Sequence, residues 1–301
     1  MQIKTKNVVL SYPPTVDWGL KLLNIPEMWK TTQGEGVTVA VLDTGIYPHV
    51  QLMYNLAGGI NFTTNNLADW GDRQGHGTHC AGIIAARPCK QHALTTNRSV
   101  IGVAPLAKIV ACKVLSDSGG GTNEAIADAI FWCIKRKVDI ISMSLGSEED
   151  SPILRNAIKE AYRRNIIMVA AAGNDGDEYL DDDIDYPGRY PEVICVGSVN
   201  KYLDRSWFSS DGETLDVVAP GEEILSTYLA DGYAVLSGTS MATPFVAGLA
   251  ALILSKHRKS KNETPIETPK QMLDHLTRFA TDKGQIGRDN FYGYGIVSNK
   301  M

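Results

Sequence analysis

The amino-acid sequence predicts an α/β fold of three layers, in which a mostly parallel central sheet carries helices on both faces. Short apolar runs rich in valine and isoleucine recur along the chain, as expected of strands that are buried on both faces. Segments with helical periodicity lie between these runs, and such alternation is typical of a parallel sheet. We expect strands at Val37 to Leu42, Ile109 to Leu115, Val138 to Ser144, Ile166 to Ala172 and Val193 to Val199.

Two of the predicted helices carry clear start and stop signals. One runs from Asn123 to Lys135 and follows Thr122, whose hydroxyl suits the N-cap position. The other runs from Pro152 to Arg164, with Ser151 as its N-cap and Asn165 as its stop. These connections are long enough to join parallel strands, so they support the same fold class.

The composition is that of an ordinary globular chain. Of 301 residues, 44% are hydrophobic and 21% are charged, and the formal net charge is -5. This length suits one large α/β domain. The acidic balance argues against nucleic acid as a partner, and no apolar run reaches the roughly 20 residues that span a bilayer, so we expect no membrane partner either.

The cysteines and the amino terminus both indicate a reducing compartment. Five cysteines are an odd number, and at least three lie within apolar patterns, so buried free thiols are favoured over disulfides. The first fourteen residues contain no apolar core of a signal peptide. We therefore expect a cytoplasmic location. The cysteines are Cys80, Cys89, Cys112, Cys133 and Cys195.

Three segments supply the side chains of a nucleophilic site. Ser240 lies in GTSMATPF, where a turn becomes an apolar helix; Asp43 ends an apolar strand; and His76 lies in GHGTHCAG at a glycine-rich helix start. A serine hydroxyl is a weak nucleophile at neutral pH unless an imidazole takes its proton and a carboxylate orients that imidazole. Parallel sheets place their sites at the carboxyl ends of strands, where Asp43 is expected.

These segments, in the order Asp, His, Ser, resemble those of the subtilisin-like serine peptidases. The intervening motifs DIISMSLG, VAAAGNDG, DYPGRYP and VVAPGEEILST resemble the same family, and the likeness extends from about Val16 to Val297. It implies the three-layer subtilisin-like fold and a serine endopeptidase that works through an acyl-enzyme, without a redox cofactor. Asn174 in the second motif matches the family's oxyanion-stabilising asparagine.

Two neighbouring residues compete with these assignments. His79 lies in the same motif as His76, and we expect it to be a structural histidine that donates to a carbonyl. Asp72, four residues before His76, is the alternative carboxylate to Asp43. The resemblance instead implies that Asp72 lies at the rim of the substrate cleft and favours basic residues there.

The resemblance also implies where the substrate lies. An extended peptide is expected to add as a strand between two exposed edges, and the side chain before the scissile bond should enter a pocket between neighbouring segments. At its base, Asp185 predicts a preference for lysine or arginine. The expected substrate-binding residues are Asp72, Gly119, Gly120, Gly121, Ser144, Leu145, Gly146, Ala172, Gly173 and Asp185.

Calcium is a further hypothesis. The loop from Asp175 to Asp185 is rich in carboxylates, with Asp177, Asp181 and Asp183 as weak candidate ligands for Ca²⁺; a solvated acidic loop is the alternative. Many subtilisin-like enzymes bind structural calcium. The aspartate that they use after the catalytic strand is replaced here by Gln51, which argues against their main site.

The domain organisation is predicted to be simple. Residues 1–14 form a short extension that resembles the inhibitory one of intracellular subtilisins, although a disordered terminus is the alternative, and residues 15–301 form one peptidase domain. The expected function is intracellular protein degradation or processing, with a homodimer as one expected assembly. Two alternatives remain: the mature domain of a secreted relative, and a noncatalytic binding pseudopeptidase.

Overall fold

A computed structural model describes residues 14–89, 99–176, 182–260 and 264–299. Its centre is a seven-stranded sheet in the order β2-β3-β1-β4-β5-β6-β7, and every neighbouring pair is parallel. Two further strands form an antiparallel hairpin, β8-β9. The strands are β1 (Thr38–Asp43), β2 (Leu56–Asn61), β3 (Lys108–Lys113), β4 (Ile140–Met143), β5 (Ile167–Ala171), β6 (Ile194–Val199), β7 (Val217–Pro220), β8 (Ile224–Thr227) and β9 (Tyr233–Leu236).

The helices cover both faces of this sheet, so the predicted three-layer α/β fold is confirmed. Helices α4 and α5 pack on one face, while α3 and α6 pack on the other. The helices are α1 (Trp18–Leu22), α2 (Ile25–Met28), α3 (His76–Ala85), α4 (Asn123–Arg136), α5 (Pro152–Arg163), α6 (Thr239–Lys259) and α7 (Pro269–Phe279).

All five predicted strands are present, with ends that agree within two residues. The sequence analysis missed β2, β7 and the β8-β9 hairpin. In β2, two adjacent glycines interrupt the apolar run, and its pairing with β3 shifts register between Leu56 and Gly59. Strands β7 and β8 have four residues each, which is too short for a periodic signal.

The predicted helix caps are confirmed. The Thr122 side chain accepts a hydrogen bond from the Ala125 N–H at 3.2 Å, and that of Ser151 accepts one from Leu154 at 3.4 Å. Asn165, just beyond α5, has a positive φ of 60°, which ends the helix in the left-handed region that asparagine tolerates.

Strand β1 shows how the sheet divides the core. Its residues are almost all buried, and their side chains alternate between the two apolar layers: Val39 and Val41 pack toward α3 and α6, whereas Ala40 and Leu42 pack toward α4 and α5. Burial on both faces explains why the run is continuously apolar.

Helix α6 is long and apolar, yet it lies in the core. Among the helices of the described ranges, it alone has the length and hydropathy of a membrane span, and 89% of that window is buried inside the molecule. Such burial is expected of the central helix of a large domain.

The five cysteines are free thiols, and four of them are buried. Cys112 on β3 and Cys133 on α4 face each other, with their sulfur atoms 3.8 Å apart. The pKa of the Cys133 thiol lies well above its usual value, chiefly because it is fully buried.

Candidate active site

Asp43 and His76 meet at the carboxyl edge of the sheet. Asp43 is the last residue of β1 and is fully buried, and His76 is the first residue of α3. The His76 Nδ1 atom lies 2.8 Å from Asp43 Oδ1 and 3.0 Å from Oδ2. This contact places the ring proton on Nδ1 and leaves Nε2 free to accept another proton.

Ser240 lies at the start of α6, beside the loop that follows β4. Its hydroxyl donates to the Ser144 carbonyl oxygen over 3.3 Å, and the Ser144 hydroxyl donates to the Ser240 carbonyl at 2.8 Å. The Ser240 N–H belongs to the first turn of the helix, where amides have no acceptor within the helix. Ser240 therefore offers a weakly held hydroxyl and a backbone N–H for which the described residues provide no acceptor.

Asn174 follows β5 at the same edge. Its side-chain oxygen accepts hydrogen bonds from the Thr239 N–H at 2.9 Å and from the Thr239 hydroxyl at 3.1 Å. The Thr239 hydroxyl also lies 3.0 Å from the Gly173 carbonyl. Because its oxygen is held in this way, the Asn174 amide presents its N–H groups beside the helix start that carries Ser240.

The electrostatics of this pair favour a charged imidazole. Burial by itself disfavours the imidazolium, but the Asp43 carboxylate outweighs that penalty, so the pKa of His76 lies well above its usual value. The Cys80 sulfur lies 3.9 Å from His76 Nδ1, on the next turn of α3. Full burial raises the pKa of Cys80, so this neighbour is a neutral thiol at neutral pH.

His79 has the predicted structural role. Its Nε2 lies 3.1 Å from the carbonyl oxygens of both Ile224 and Ala234, so it carries the ring proton and ties α3 to the β8-β9 hairpin. The ring is fully buried, and chiefly for that reason its pKa falls to about 4. His79 is therefore neutral at neutral pH.

The prediction for Asp72 is wrong, because this residue does not lie at the rim of the cleft. It is only 4% exposed, and both of its carboxylate oxygens accept hydrogen bonds from the protein. Oδ1 accepts from the Thr44 hydroxyl and from the amides of Gln74 and Gly75, and Oδ2 accepts from the amide and hydroxyl of Thr78. Asp72 thus stabilises the turn that leads into α3 by these hydrogen bonds.

Several predicted substrate-binding residues come together in one open cleft of about 670 Å³ beside His76. Both predicted peptide-binding edges contribute to its wall, and the other residues of the wall include Leu115 and Tyr186. The predicted residues that line the cleft are Gly119, Gly120, Gly121, Ser144, Leu145 and Gly146.

Ala172, Gly173 and Asp185 are not part of this cleft wall. They lie behind Gly146: the Asp185 N–H donates to the Ala172 carbonyl at 2.7 Å, and a Cβ atom added to Gly146 would lie 2.6 Å from Asp185 Oδ2. The Asp185 carboxylate is therefore seated against the backbone of one cleft edge.

The calcium candidates find little support in the described residues. Asp177 and Asp181 lie outside the described ranges. Asp183 Oδ1 accepts a hydrogen bond from the Asp211 N–H at 2.7 Å, and Oδ2 is buried without a partner among the described groups. Within those groups, Asp183 does not converge with two other candidate ligands.

Gln51 stands where relatives have a calcium-binding aspartate, and its side chain donates hydrogen bonds there. Its amide nitrogen donates toward the oxygens of Arg87, Ser99 and Val100 at 2.8–3.0 Å. Oxygens that face N–H groups do not suit a cation, so this described part of the loop does not fit calcium.

The sequence analysis missed three residues that position the groups of this candidate site. Thr239 holds Asn174, as described above. Thr44 joins Asp72 to α3 by accepting the Gly77 N–H at 3.0 Å, and the buried Lys113 donates to the Thr44 carbonyl and to Asp117. A polar residue at the end of an apolar strand, such as Lys113 on β3, is the signal that could have identified one of them.

The chemistry available here is that of serine hydrolases, since a carboxylate-oriented imidazole lies at the same edge as a serine on a helix start. The match to the Subtilase family covers residues 34–295. The chain is 47% identical to an intracellular serine protease of Paenibacillus polymyxa. The 241 aligned residues cover 78% of this chain and 72% of that protein.

Two further similar proteins are named subtilisins. Subtilisin E of Bacillus subtilis is 38% identical over 298 residues, covering 98% of this chain and 73% of that protein. Subtilisin DY of Bacillus licheniformis is 39% identical over 286 residues, which cover 94% of this chain and 97% of that protein. The chain therefore belongs to the subtilase family, and it is a serine endopeptidase.

Proposed function

We propose that Ser240, His76 and Asp43 form the catalytic triad of this endopeptidase, with Asn174 as an oxyanion donor. The observation that carries the proposal is the buried Asp43 carboxylate 2.8 Å and 3.0 Å from His76 Nδ1. A buried carboxylate on a strand end has a high desolvation cost unless a partner offsets it, and the imidazole N–H is that partner.

Acylation follows from this geometry. Ser240 Oγ leaves its long contact with Ser144, turns toward His76 Nε2 and attacks the peptide carbonyl while Nε2 takes its proton. Asp43 keeps Nδ1 protonated and stabilises the imidazolium that forms. The amine product then leaves with the proton of Nε2, and the acyl group remains as an ester on Ser240.

The tetrahedral intermediate carries its charge on the former carbonyl oxygen. The Ser240 N–H and the side-chain N–H of Asn174 are the donors for that oxyanion, since Thr239 holds the Asn174 oxygen on the other side. A water molecule, deprotonated by His76, repeats the attack on the ester and releases the acid product.

The substrate chain lies in the cleft as an added strand. The segments Gly119 to Gly121 and Ser144 to Gly146 both line it, and both are free of bulky side chains except Leu145. Backbone hydrogen bonds to such edges hold many different sequences, which suits an enzyme of broad peptide recognition.

We further propose a role in intracellular protein degradation or processing, on the strength of the relative named an intracellular serine protease. The relatives that are named subtilisins keep the alternative open that the chain is the catalytic domain of a secreted enzyme. The inhibitory role of residues 1–14, of which 1–13 lie outside the described ranges, stays a prediction, as does a homodimer. Subtilisins generally bind calcium, and a calcium site in this chain is likewise a hypothesis.

The decisive test is the substitution Ser240→Ala. Turnover of a protein substrate should fall by about 10⁶-fold, the size of effect established for subtilisin. The matched control is Ser237→Ala, since Ser237 is exposed in the same segment and, among the described residues, its hydroxyl only accepts from the Glu223 N–H. Equal cleavage rates for the two variants would refute the triad.

A further inference from the structure

An aromatic side chain from the β8-β9 hairpin covers the turn that leads into α3. Tyr228, the first residue after β8, lies against Gly75 on the side where a side chain would project: a Cβ atom added to Gly75 would be 2.2 Å from Tyr228 Cζ and 2.3 Å from Cε2. The Tyr228 hydroxyl donates to the Gln74 carbonyl oxygen at 2.9 Å. Tyr228 therefore contacts the two residues that immediately precede His76.

The contact with Gly75 depends on glycine. Gly75 has a φ of 108°, which favours glycine, and a Cβ atom there would clash with the tyrosine ring. As the N-cap of α3 it offers no side chain that could fix the helix start, but its carbonyl accepts the His79 N–H at 3.0 Å. A displacement of Gly75 would thus move the first turn of α3, which carries His76.

The same helix start also packs on the end of β1. A Cβ atom added to Gly77 would lie 2.2 Å from the Gly45 carbonyl oxygen and 3.0 Å from Asp43 Cβ. His76 lies between the two glycines, so its backbone packs against β1 through Gly77 and against the hairpin through Gly75. The two contacts together determine where α3 begins relative to Asp43.

Tyr228 is itself held in a well-supported turn. Its N–H donates to the Gly232 carbonyl at 2.7 Å and so closes the turn between β8 and β9. The turn is joined to the segment after β1, because Asp231 Oδ1 accepts the Val50 N–H at 2.8 Å and the Gly232 carbonyl lies 3.1 Å from His49 Nε2. A side chain mounted in this way can act as a fixed support for a functional group.

We propose that Tyr228 is a positioning residue of this peptidase and holds His76 against Asp43. It acts through the turn before α3, by packing its ring on Gly75 and by its hydrogen bond to the Gln74 carbonyl. The inference rests on the proposed function, because it concerns the orientation of the proposed general base. A displacement of a catalytic group by about 1 Å can lower turnover by about 100-fold.

The pKa of His76 reports its position relative to Asp43. Burial lowers this pKa, and the Asp43 carboxylate more than offsets that effect. The other titratable groups that act near the ring are the Cys80 thiol and the His79 imidazole, both on α3 and both neutral at neutral pH. If the first turn of α3 moves away from β1, the effect of the carboxylate weakens and the pKa of His76 falls.

The experiment measures kcat, KM and the pH profile of kcat/KM on one chromogenic peptide, in the full chain, Tyr228→Ala and Tyr228→Phe. Tyr228→Ala should lower kcat by about 100-fold, leave KM almost unchanged and move the acid limb of kcat/KM to lower pH. Tyr228→Phe keeps the ring on Gly75 and loses one neutral hydrogen bond. Its kcat should therefore fall by only about two- to tenfold.

The matched control is Tyr292→Ala. Tyr292 is also half-buried beside a glycine of positive φ, since its Cδ2 would lie 2.8 Å from a Cβ atom added to Gly284, and its hydroxyl accepts the Arg205 N–H at 3.0 Å. These contacts involve neither α3 nor β1. The variant should unfold at a lower urea concentration than the full chain but keep its kcat and its acid limb.

The pH profile separates positioning from general stability. An acid limb in Tyr228→Ala equal to that of Tyr292→Ala would overturn the role of Tyr228, and so would an increase in KM alone. If Tyr228→Ala does not fold, Tyr228→Phe decides, and a kcat equal to that of the full chain would overturn the proposal. These outcomes leave the triad intact, whereas undiminished cleavage by Ser240→Ala would contradict the proposed function itself.

Discussion

At the scale of single residues, the site depends on how Asp43 determines the state of His76. The carboxylate is fully buried, and its only ionic partner among the described residues is the His76 side chain, which is 24% exposed at the cleft. Asp43 also accepts the Thr44 N–H at 2.7 Å, so its orientation is fixed from the strand side. The proton on Nδ1 and the raised pKa of His76 both follow from this carboxylate.

The substitution Asp43→Asn should therefore change two measurable quantities. Turnover should fall by about 10⁴-fold, because an amide no longer stabilises the imidazolium. The acid limb of the kcat/KM profile should move to lower pH, because the carboxylate no longer opposes the effect of burial, which lowers the pKa of His76.

A pH series on both proteins checks this prediction. The control Asp274→Asn removes an exposed carboxylate on α7 that pairs only with Lys270 among the described residues, and it should leave the acid limb in place. An acid limb that does not move in Asp43→Asn would mean that another group titrates there.

At the scale of elements, the position of α3 depends on its close packing against β8. The hydroxyls of Ser226 and Thr227 donate to the carbonyls of His79 and Thr78 at 2.8 Å and 2.9 Å. Gly82 permits this approach, since a Cβ atom there would lie 2.2 Å from Thr227 Oγ1 and 2.3 Å from Ser226 Oγ. The contact sets the rotation of the helix that begins with His76.

The substitution Gly82→Ala should accordingly destabilise the fold and disturb catalysis. Overpacking of this kind lowers the free energy of unfolding by about 1–3 kcal/mol. Because α3 must move away from β8, His76 shifts and kcat should fall more than KM changes. Urea unfolding and steady-state kinetics measure the two effects.

Gly71→Ala is the matched control for this experiment. A Cβ atom at Gly71 has no other atom within 4 Å, and its φ is not in the left-handed region. If Gly82→Ala and Gly71→Ala unfold at the same urea concentration, the packing of α3 on β8 is not the constraint inferred here.

At the scale of the whole molecule, Gln51 joins parts of the chain that are distant in sequence. Its side-chain oxygen accepts the Val100 N–H at 3.1 Å and the Tyr233 hydroxyl at 2.6 Å, and its nitrogen donates to oxygens of residues 87, 99 and 100. The residue is fully buried. It connects the segment after β1 with both described ends of the loop that follows α3 and with β9.

Gln51→Ala should lower the free energy of unfolding by about 3 kcal/mol, because it leaves the buried amide and carbonyl of Val100 without partners. Urea unfolding measures the loss. The control Gln285→Ala, at an exposed position, should change stability by less than about 0.5 kcal/mol. An effect of Gln51→Ala as small as that of the control would show that these hydrogen bonds are readily replaced by water.

The sequence by itself predicted the α/β fold, five strands, two capped helices and the candidate triad of Asp43, His76 and Ser240, because periodicity and short motifs are local properties of the chain. Only the tertiary structure decided what surrounds them. Asp72 is buried because Thr44 and Thr78 meet it, and β2 forms despite its glycines because β3 pairs with it. Gln51 joins distant segments through hydrogen bonds, whereas the Asp185 side chain has no ion pair among the described residues. The sequence could predict neither outcome, because the cost of burying a polar group depends on partners that are far away in sequence.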